Sequence, residues 1–316
     1  MSWKIIAFRL RSKVKKVRYW LEAQLSFALL GFLRLLPMQA SMTLNAKIVQ
    51  LIGPFLNRHK IAIENLELAF PEKTDAEREA IARSMWRNIG RLLAEYIYLD
   101  RLFDYDPDSK EQGIVEVEGE ELFRKLQAAN KPCAFFTGHI GNFELLPVCA
   151  ATFGLEITAL FRPPNNPYVA KKLLASRTTN MGHLVPSRAG AAWGLAKALD
   201  NGNSVGVLVD QKYARGIDTT FFGEPCQTNP LLPKLVRQFD VPVYPARCIR
   251  IGGGRFKLIL EDEVKFPRDK NGAVDIKAST QLLNDIVERW VRETPEQWMW
   301  LHRRWEKYNP GVKRRL

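Results

Sequence analysis

The chain has 316 residues, of which 46% are apolar, so it can bury a substantial core and is neither disordered nor fibrous. Its formal net charge of +13 favours an anionic partner such as a membrane surface, nucleic acid, or an acidic protein or lipid. The four cysteines form no C-x-x-C pair, and no histidine stands at zinc-ligand spacing from them. We therefore expect no metal centre, and free thiols in a reducing compartment.

The N-terminal segment combines a basic run with an apolar run. Residues 1–18 carry several Lys and Arg but no carboxylate, and an apolar stretch follows over 19–37. Its charge-free part, 23–33, is shorter than the about 18 apolar residues that a membrane span needs. We interpret residues 1–40 as a membrane-associated segment whose helix lies in the interface, with a weak single span and an ordinary packed helix as alternatives.

A helical lead-in is expected next, over residues 41–112. One helix is predicted over 41–57, and a second over 75–100. The second begins at a T-x-x-E capping box formed by Thr74 and Glu77, and its apolar residues recur at helical spacing.

From about residue 113 short apolar runs alternate with helical segments. Strands are predicted at 114–117, 133–137, 156–161, 183–186, 204–209, 243–249 and 255–260. Helices are predicted at 119–129, 142–153, 166–179, 188–200, 229–239 and 275–294. This alternation predicts an α/β fold with a mixed, mostly parallel sheet flanked by helices. Residues 113–316 form its core, and 41–316 together form the main domain.

The segment TGHIGNFE, residues 137–144, stands between an apolar strand and an apolar helix, where sites form in open α/β sheets. Gly138 and Gly141 permit a tight turn, and amides at the start of the helix are candidates for binding an oxyanion. With His139 on the turn and Glu144 in the first helical turn, the carboxylate can fold back onto the imidazole. That pair would activate a hydroxyl nucleophile. The alternative is a packed histidine beside a first-turn helix charge.

The chain resembles a known family at this motif and beyond it. TGHIGNFE resembles the H-x4-[D/E] motif of lysophospholipid-type acyltransferases, and nearly the whole chain resembles the bacterial lipid A biosynthesis (lauroyl/myristoyl) acyltransferases. The resemblance is carried by NLELAFP at 65–71, FRP at 161–163, DQ at 210–211, FFG at 221–223 and PEQWMWLHRRW at 295–305.

The resemblance implies a reaction. His139, oriented by Glu144, would deprotonate a hydroxyl on a 3-hydroxyacyl chain of a lipid A precursor. The alkoxide would attack an acyl thioester, for which the resemblance implies acyl carrier protein as the carrier. No cofactor or metal is implied, and the location is the cytoplasmic face of the bacterial inner membrane. A phosphorylated glycolipid and an acidic carrier both suit the basic chain. A glycerophospholipid or other glycolipid acceptor is the main alternative, and a non-catalytic membrane or nucleic-acid-binding protein is a distant one.

Further substrate-binding residues are expected around this motif. The resemblance implies that Arg162 holds an anionic group of the acceptor, and a guanidinium fork fits phosphate. Asn142, Asp210 and Gln211 are expected to contact substrate, although Asp210 and Gln211 can equally orient a loop. The FFG segment is interpreted as acyl-pocket lining or core, and the Trp/Arg-rich tail as a membrane-interface element or a packed segment.

Overall fold

The computed structural model describes residues 3–109, 113–161, 164–171, 182–186 and 190–305. Its α-helices are α1 (Trp3–Arg34), α2 (Met38–Ile52), α3 (Asn57–Ala69), α4 (Asp75–Glu95), α5 (Leu99–Leu102), α6 (Glu120–Ala129), α7 (Leu145–Thr152), α8 (Ala191–Asp200), α9 (Leu231–Phe239) and α10 (Ile276–Glu293). Residues 167–171 are also helical, and 3-10 turns occupy Gly53–Phe55 and Pro295–Gln297.

The strands are β1 (Val115–Glu118), β2 (Ala134–Thr137), β3 (Ile157–Phe161), β4 (His183–Pro186), β5 (Ser204–Leu208), β6 (Lys212–Phe221), β7 (Glu224–Thr228), β8 (Val243–Gly252) and β9 (Arg255–Leu260). Seven of them form one sheet in the order β1-β9-β8-β2-β5-β3-β4. Strands β2, β3, β4, β5 and β8 run parallel, whereas β9 is antiparallel to β8 and carries β1 parallel to itself. The predicted α/β class and mostly parallel sheet are therefore confirmed.

The sheet separates two apolar cores, and strand β2 shows why. Because successive side chains of a strand point to opposite faces, Ala134 and Phe136 enter one core while Cys133 and Phe135 enter the other. The first core also takes side chains from α3, α4, α8, α9, α10 and the C-terminal tail, and the second from α2, α5, α6 and α7. Since both faces are covered, the inner strands β2, β3 and β5 are largely apolar, whereas the edge strand β1 alternates Val with Glu.

The seven strands of the large sheet lie within a few residues of the predicted ranges, but the hairpin β6–β7 was not predicted. It forms a separate two-stranded sheet joined by Phe222 and Gly223, both at positive φ (56° and 75°). A two-residue turn with positive φ at both positions matches the twist of paired strands. The polar and glycine residues of β6 break the apolar alternation by which a strand is recognised in sequence.

The helical lead-in differs from its prediction at two points. The helix predicted over 75–100 ends at Glu95, and the separate short helix α5 follows at Leu99–Leu102. The helix predicted over 41–57 ends at Ile52, since Gly53 and Pro54 form a 3-10 turn, and the separate helix α3 begins at Asn57. The capping box of α4 is confirmed. Thr74 Oγ1 accepts a bond from Glu77 N (3.3 Å), and Glu77 Oε2 accepts one from Thr74 N (2.7 Å).

Two other predicted helices are described only in part. The helix predicted over 166–179 is described as far as residue 171, and residues 187–189 at the start of the one predicted over 188–200 also lie outside the described residues. Helix α1 is 32 residues long, and among the described residues no helix is long and apolar enough to cross a membrane.

A buried ion pair ties the helical lead-in to the sheet. Glu95, at the end of α4, is fully buried and binds Arg250 of β8 through Arg250 Nε (3.1 Å) and Nη2 (2.5 Å). The same carboxylate accepts a bond from Asn142 Nδ2 (3.0 Å) in the loop after β2. Glu95 thus holds α4, β8 and this loop together.

We expect Glu95→Ala to lower the free energy of unfolding by roughly 3–5 kcal/mol, because it leaves the Arg250 guanidinium buried without its carboxylate. The double variant Glu95→Leu/Arg250→Met should recover much of that loss. The exposed pair of Glu118 and Lys257 (2.5 Å) supplies a control, and Glu118→Ala should cost less than about 1 kcal/mol. Chemical denaturation measures all three. Equal losses for Glu95→Ala and Glu118→Ala would contradict the assignment.

Candidate active site

His139 and Asp210 leave the sheet at equivalent points. Strands β2 and β5 are parallel neighbours in which Thr137 pairs with Leu208. His139 stands two residues after the first, and Asp210 two residues after the second. Because both strands end at the same edge, the two side chains meet there.

The two side chains form a buried hydrogen-bonded pair. His139 Nδ1 lies 2.7 Å from Asp210 Oδ1, and the backbone N–H of His139 donates to Asp210 Oδ2 at 2.6 Å. Trp298 Nε1 donates to Oδ2 as well, at 2.7 Å. Asp210 is buried, whereas the His139 side chain is 17% exposed. The carboxylate therefore fixes the imidazole from the protein side and leaves its other edge accessible.

Asp210 is held in its charged form. Burial alone would raise the pKa of its carboxyl, but the charge of His139, the two hydrogen bonds from His139 and the one from Trp298 together hold that pKa well below its usual range. Nearby, burial lowers the pKa of His302 to about 4, so His302 is neutral near pH 7.

The hydrogen-bond network assigns the tautomer of His139. A carboxylate accepts only, so Nδ1 carries the proton and Nε2 presents a lone pair, as a general base requires. The side-chain nitrogen of Gln211 lies 3.1 Å from Nε2 and occupies that position. Gln211 is exposed, so a hydroxyl that approaches Nε2 can replace it.

Glu144 is not the carboxylate that contacts His139 in this structure. Its Oε1 accepts a hydrogen bond from Tyr96 OH of the α4–α5 connection, and Asp210 takes the position on Nδ1 predicted for Glu144. The reason is geometric, because helix α7 begins only at Leu145 and Glu144 is its N-cap residue. The catalytic role expected for Glu144 stays a prediction.

Gly141 serves the turn, as predicted. Its φ is +57°, and a Cβ there would lie 1.9 Å from Cys248 O, so a side chain cannot fit. A Cβ at Gly138 would lie 3.2 Å from Asp210 Oδ2, so Gly138 permits the close approach of that carboxylate.

The amides expected to bind an oxyanion are used within the protein. Those of Ile140, Gly141 and Asn142 donate to Gly138 O (2.8 Å), Gln297 O (3.0 Å) and Cys248 O (3.0 Å). Glu144 N donates to Asn142 Oδ1 (3.2 Å). The loop amides therefore stabilise the loop rather than an external oxygen.

Asn142 and Asp210, both expected to contact substrate, are buried and position other groups. The Asn142 side chain bridges Glu95 and Glu144 N, and Asp210 bridges His139 and Trp298. Gln211 is exposed beside His139, which is compatible with its predicted contact. Arg162 lies outside the described residues.

The C-terminal tail completes the loop rather than facing a membrane. Trp298, Trp300 and Arg304 are fully buried, so the interpretation of the tail as a membrane-interface element is wrong and the packed alternative is confirmed. Its backbone pairs with the loop, since Gly141 N donates to Gln297 O (3.0 Å) and Met299 N donates to His139 O (3.1 Å). The Trp298 bond to Asp210 was not foreseen, although the tail was singled out.

The FFG segment packs in the core. Phe221 and Phe222 are buried, and their rings lie 4.9 Å apart, with Trp298 5.5 Å from Phe221. Neither phenylalanine lines the cavity described next. Of the two interpretations of this segment, core packing is the one that the structure supports.

An apolar cavity opens beside this loop. It lies between the sheet and α7 and contains about 800 Å³ of space free of protein atoms, a volume that includes the solvent at its open mouth. Thr137 and Glu144 mark one end, at the carboxyl ends of the strands, and Phe123, Ala150 and Ile157 lie towards the other. Its lining is otherwise almost entirely aliphatic and aromatic, so it suits a hydrocarbon chain.

A second, narrower cleft reaches His139 from the side of α4. Met85, Ile89 and Leu92 line it from α4, and Met299 and Phe143 complete its apolar wall. Phe143 also lines the larger cavity, and its ring lies 5.1 Å from that of His139. The two apolar spaces therefore converge at Phe143, beside the imidazole.

Among the residues that the structure describes, no group of three or more His, Cys, Asp or Glu side chains is arranged to hold a metal ion. The four cysteines are free and buried.

Comparison with known proteins gives a consistent result. The family model for bacterial lipid A biosynthesis acyltransferase matches residues 9–307. The lipid A biosynthesis lauroyltransferase of Escherichia coli (strain K12) is 28% identical over 308 residues, which cover 94% of this chain and 95% of that protein.

Two further relatives come from the same strain. The palmitoleoyltransferase of lipid A biosynthesis is 27% identical over 297 residues, covering 91% of this chain and 88% of that protein. The myristoyltransferase is 25% identical over 306 residues, covering 93% and 89%. Because the family model matches most of the chain, the predicted resemblance is confirmed, and the protein belongs to the bacterial lipid A biosynthesis acyltransferase family.

Proposed function

We propose that this protein transfers a fatty acyl chain from an acyl thioester to a hydroxyl of a 3-hydroxyacyl chain on a lipid A precursor, with His139 as the general base. The observation that carries the proposal is the Asp210–His139 pair beside Phe143, which lines an apolar cavity, in a chain that matches this family over residues 9–307. The relatives are named for lauroyl, palmitoleoyl and myristoyl transfer in lipid A biosynthesis.

The reaction begins when the acceptor hydroxyl replaces Gln211 at His139 Nε2 and gives up its proton there. The alkoxide oxygen forms a bond to the thioester carbonyl carbon, and the tetrahedral intermediate collapses by breaking the C–S bond. The departing thiolate takes the proton back from the imidazolium. Asp210, charged and buried beside Nδ1, stabilises that imidazolium while it exists.

The apolar cavity holds the acyl chain of the donor in this proposal. Its open end carries Thr137 and Glu144 and leads to Phe143, while its lining suits a hydrocarbon chain. Glu144, hydrogen-bonded by Tyr96 OH, then lies at the cavity mouth beside the reacting ester. We propose that Glu144 takes part in catalysis at this position, while Asp210 orients His139.

The remaining partners follow from charge and exposure. An acidic acyl carrier protein is proposed as the donor, since the chain carries a net charge of +13. Arg162 is proposed to hold an acceptor phosphate. Helix α1 exposes Leu21, Leu25, Leu29 and Phe32, which supports attachment to the cytoplasmic face of the inner membrane.

We expect His139→Ala to lower acyl transfer by roughly 10²–10⁴-fold, the usual contribution of a general base. Membranes carrying the variant would be incubated with a lipid A precursor and acyl carrier proteins loaded with different chains, and mass spectrometry would detect the added acyl mass. His183→Ala is the matched control, because His183 is 67% exposed and should tolerate the change. Equal transfer by both variants would remove His139 from the mechanism. Transfer to a lysophospholipid instead would identify a different acceptor.

Asp210→Asn should reduce turnover by up to about 10⁴-fold, as for the orienting carboxylate of a serine protease triad. It should also move the acidic limb of the pH–rate profile to lower pH, because the imidazolium loses the carboxylate that stabilises it. Glu144→Gln should lower turnover without moving that limb. Rates measured between pH 5 and 8, with unfolding curves for each variant, separate these effects. A shift for Glu144→Gln alone would restore Glu144 as the orienting group.

Ala150→Leu should shorten the acyl chain that the enzyme prefers, because it fills the end of the cavity far from His139. Excluding two or three methylenes costs about 2 kcal/mol, which is roughly 30-fold in relative rate for the longest chain. Competition between acyl carrier proteins with chains of different length measures the change. Ala192→Leu, at an exposed position of α8, is the matched control. An unchanged chain preference in Ala150→Leu would mean that the donor chain lies elsewhere.

A further inference from the structure

Helix α2 and the 3-10 turn after it carry a stripe of exposed apolar side chains, the α2 apolar face. Its residues are Leu44, Ile48, Leu51, Ile52 and Phe55, with exposed fractions of 40%, 41%, 69%, 50% and 85%. They recur at helical spacing and so lie on one side of the element. Soluble monomers rarely expose a contiguous apolar patch of this kind without a partner.

The opposite side of α2 is fixed, so the helix cannot rotate to bury this face. Asn45 Nδ2 donates to Gly90 O (2.6 Å), and a Cβ on Gly90 would lie 2.8 Å from Ala46 Cα. A Cβ on Gly53 would lie 2.3 Å from the Trp86 ring. Both helices thus approach closely through small residues, and the exposure of the apolar face is built into the packing of α2 on α4.

The charges around the face select its partner. No Asp or Glu occurs anywhere over residues 23–63, whereas Lys47, Arg58 and Lys60 are exposed beside the face. A second copy of the chain would bring these like charges together, and an acidic protein would not need the large apolar side chains. In an anionic bilayer the hydrocarbon layer accepts the apolar side chains, and the headgroups above it attract the basic ones.

We infer that the α2 apolar face inserts into the interfacial layer of an anionic lipid bilayer, as a membrane contact of the main domain additional to α1. Helix α1 leads into α2 through the turn Leu35–Pro37, and Leu29 and Phe32 of α1 and Leu35 of the turn are exposed as well. The membrane contact therefore continues past the N-terminal segment into the part of the chain that packs on the sheet.

This contact also places only the helices α2 and α4 between the bilayer and His139. The other side of α2 packs on α4, and α4 supplies Met85, Ile89 and Leu92 to the cleft that ends at His139. Packed helices lie about 8–10 Å apart. A lipid acceptor that enters the cleft thus has to cross the depth of only these two helices between the bilayer and the imidazole. This route rests on the proposed function, whereas the bilayer contact does not.

The test uses the full-length protein with Phe55→Cys labelled by an environment-sensitive fluorophore. The four native cysteines are buried, so the label goes to the new one. Trp193→Cys is the matched control, since Trp193 is also a large exposed side chain, at 69%. Both proteins are mixed with vesicles of phosphatidylglycerol and phosphatidylethanolamine, and in parallel with vesicles of phosphatidylcholine alone.

We expect the emission at position 55 to shift to the blue and to be quenched by lipids brominated on their acyl chains, more strongly with phosphatidylglycerol, while position 193 stays unchanged. The inference is overturned if the protein sediments with vesicles but position 55 does not respond, which would leave α1 as the sole contact. It is also overturned if the shift appears without vesicles as protein concentration rises, because a second copy then covers the face. An equal response on phosphatidylcholine would remove the requirement for anionic lipid.

A second measurement separates this inference from the proposed function. Leu51→Ser/Phe55→Ser should keep its turnover with acceptor dispersed in detergent but lose at least about fivefold when the acceptor is in vesicles. Equal turnover in both would overturn the lipid route. The fluorescence result stands by itself if no lipid A precursor is acylated, since it requires no turnover.

Discussion

The pairing of β2 with β5 is the constraint on which the site depends. A parallel register that sets Thr137 opposite Leu208 carries His139 and Asp210 the same two residues beyond the sheet, so their side chains meet. Shifting that register by one residue would turn one of the two towards the other face. An acid–base pair needs a fixed distance between its two groups. The pairing of the buried strands sets that distance for His139 and Asp210, although the two are far apart in sequence.

Around this pair a network of hydrogen bonds fixes the loop at residues 141–142. The loop binds Glu95 of α4, Cys248 of β8 and Gln297 of the tail, and Arg250 of β8 binds both Glu95 and Gln297. Gly141 lets the loop lie against β8 without a side chain between them. The result is a histidine whose inner edge is rigidly bound and whose outer edge is accessible, between two apolar spaces.

Much of the fold and part of the site could be predicted from the sequence. The buried strands are apolar runs bounded by turn residues, and the capping box at Thr74 marks the start of α4, so these elements are readable locally. His139 was found because glycines flank it at a strand end. Proximity in sequence suggested Glu144 as the carboxylate on His139, whereas strand register places Asp210 against Nδ1. Asp210 was recognised as ending a strand, but strand order, which makes β5 the neighbour of β2, cannot be read from one sequence.

The bridge between the loop and the tail has a consequence for how the protein is made. Residues 297–299 bind both the loop backbone and Asp210, yet they follow every strand of the sheet in the chain. During synthesis, the sheet and both helical layers leave the ribosome before this last support exists. His139 then gains its full set of contacts only when the tail is in place, so a nascent chain that lacks residues 297–299 also lacks the Trp298 bond that holds Asp210.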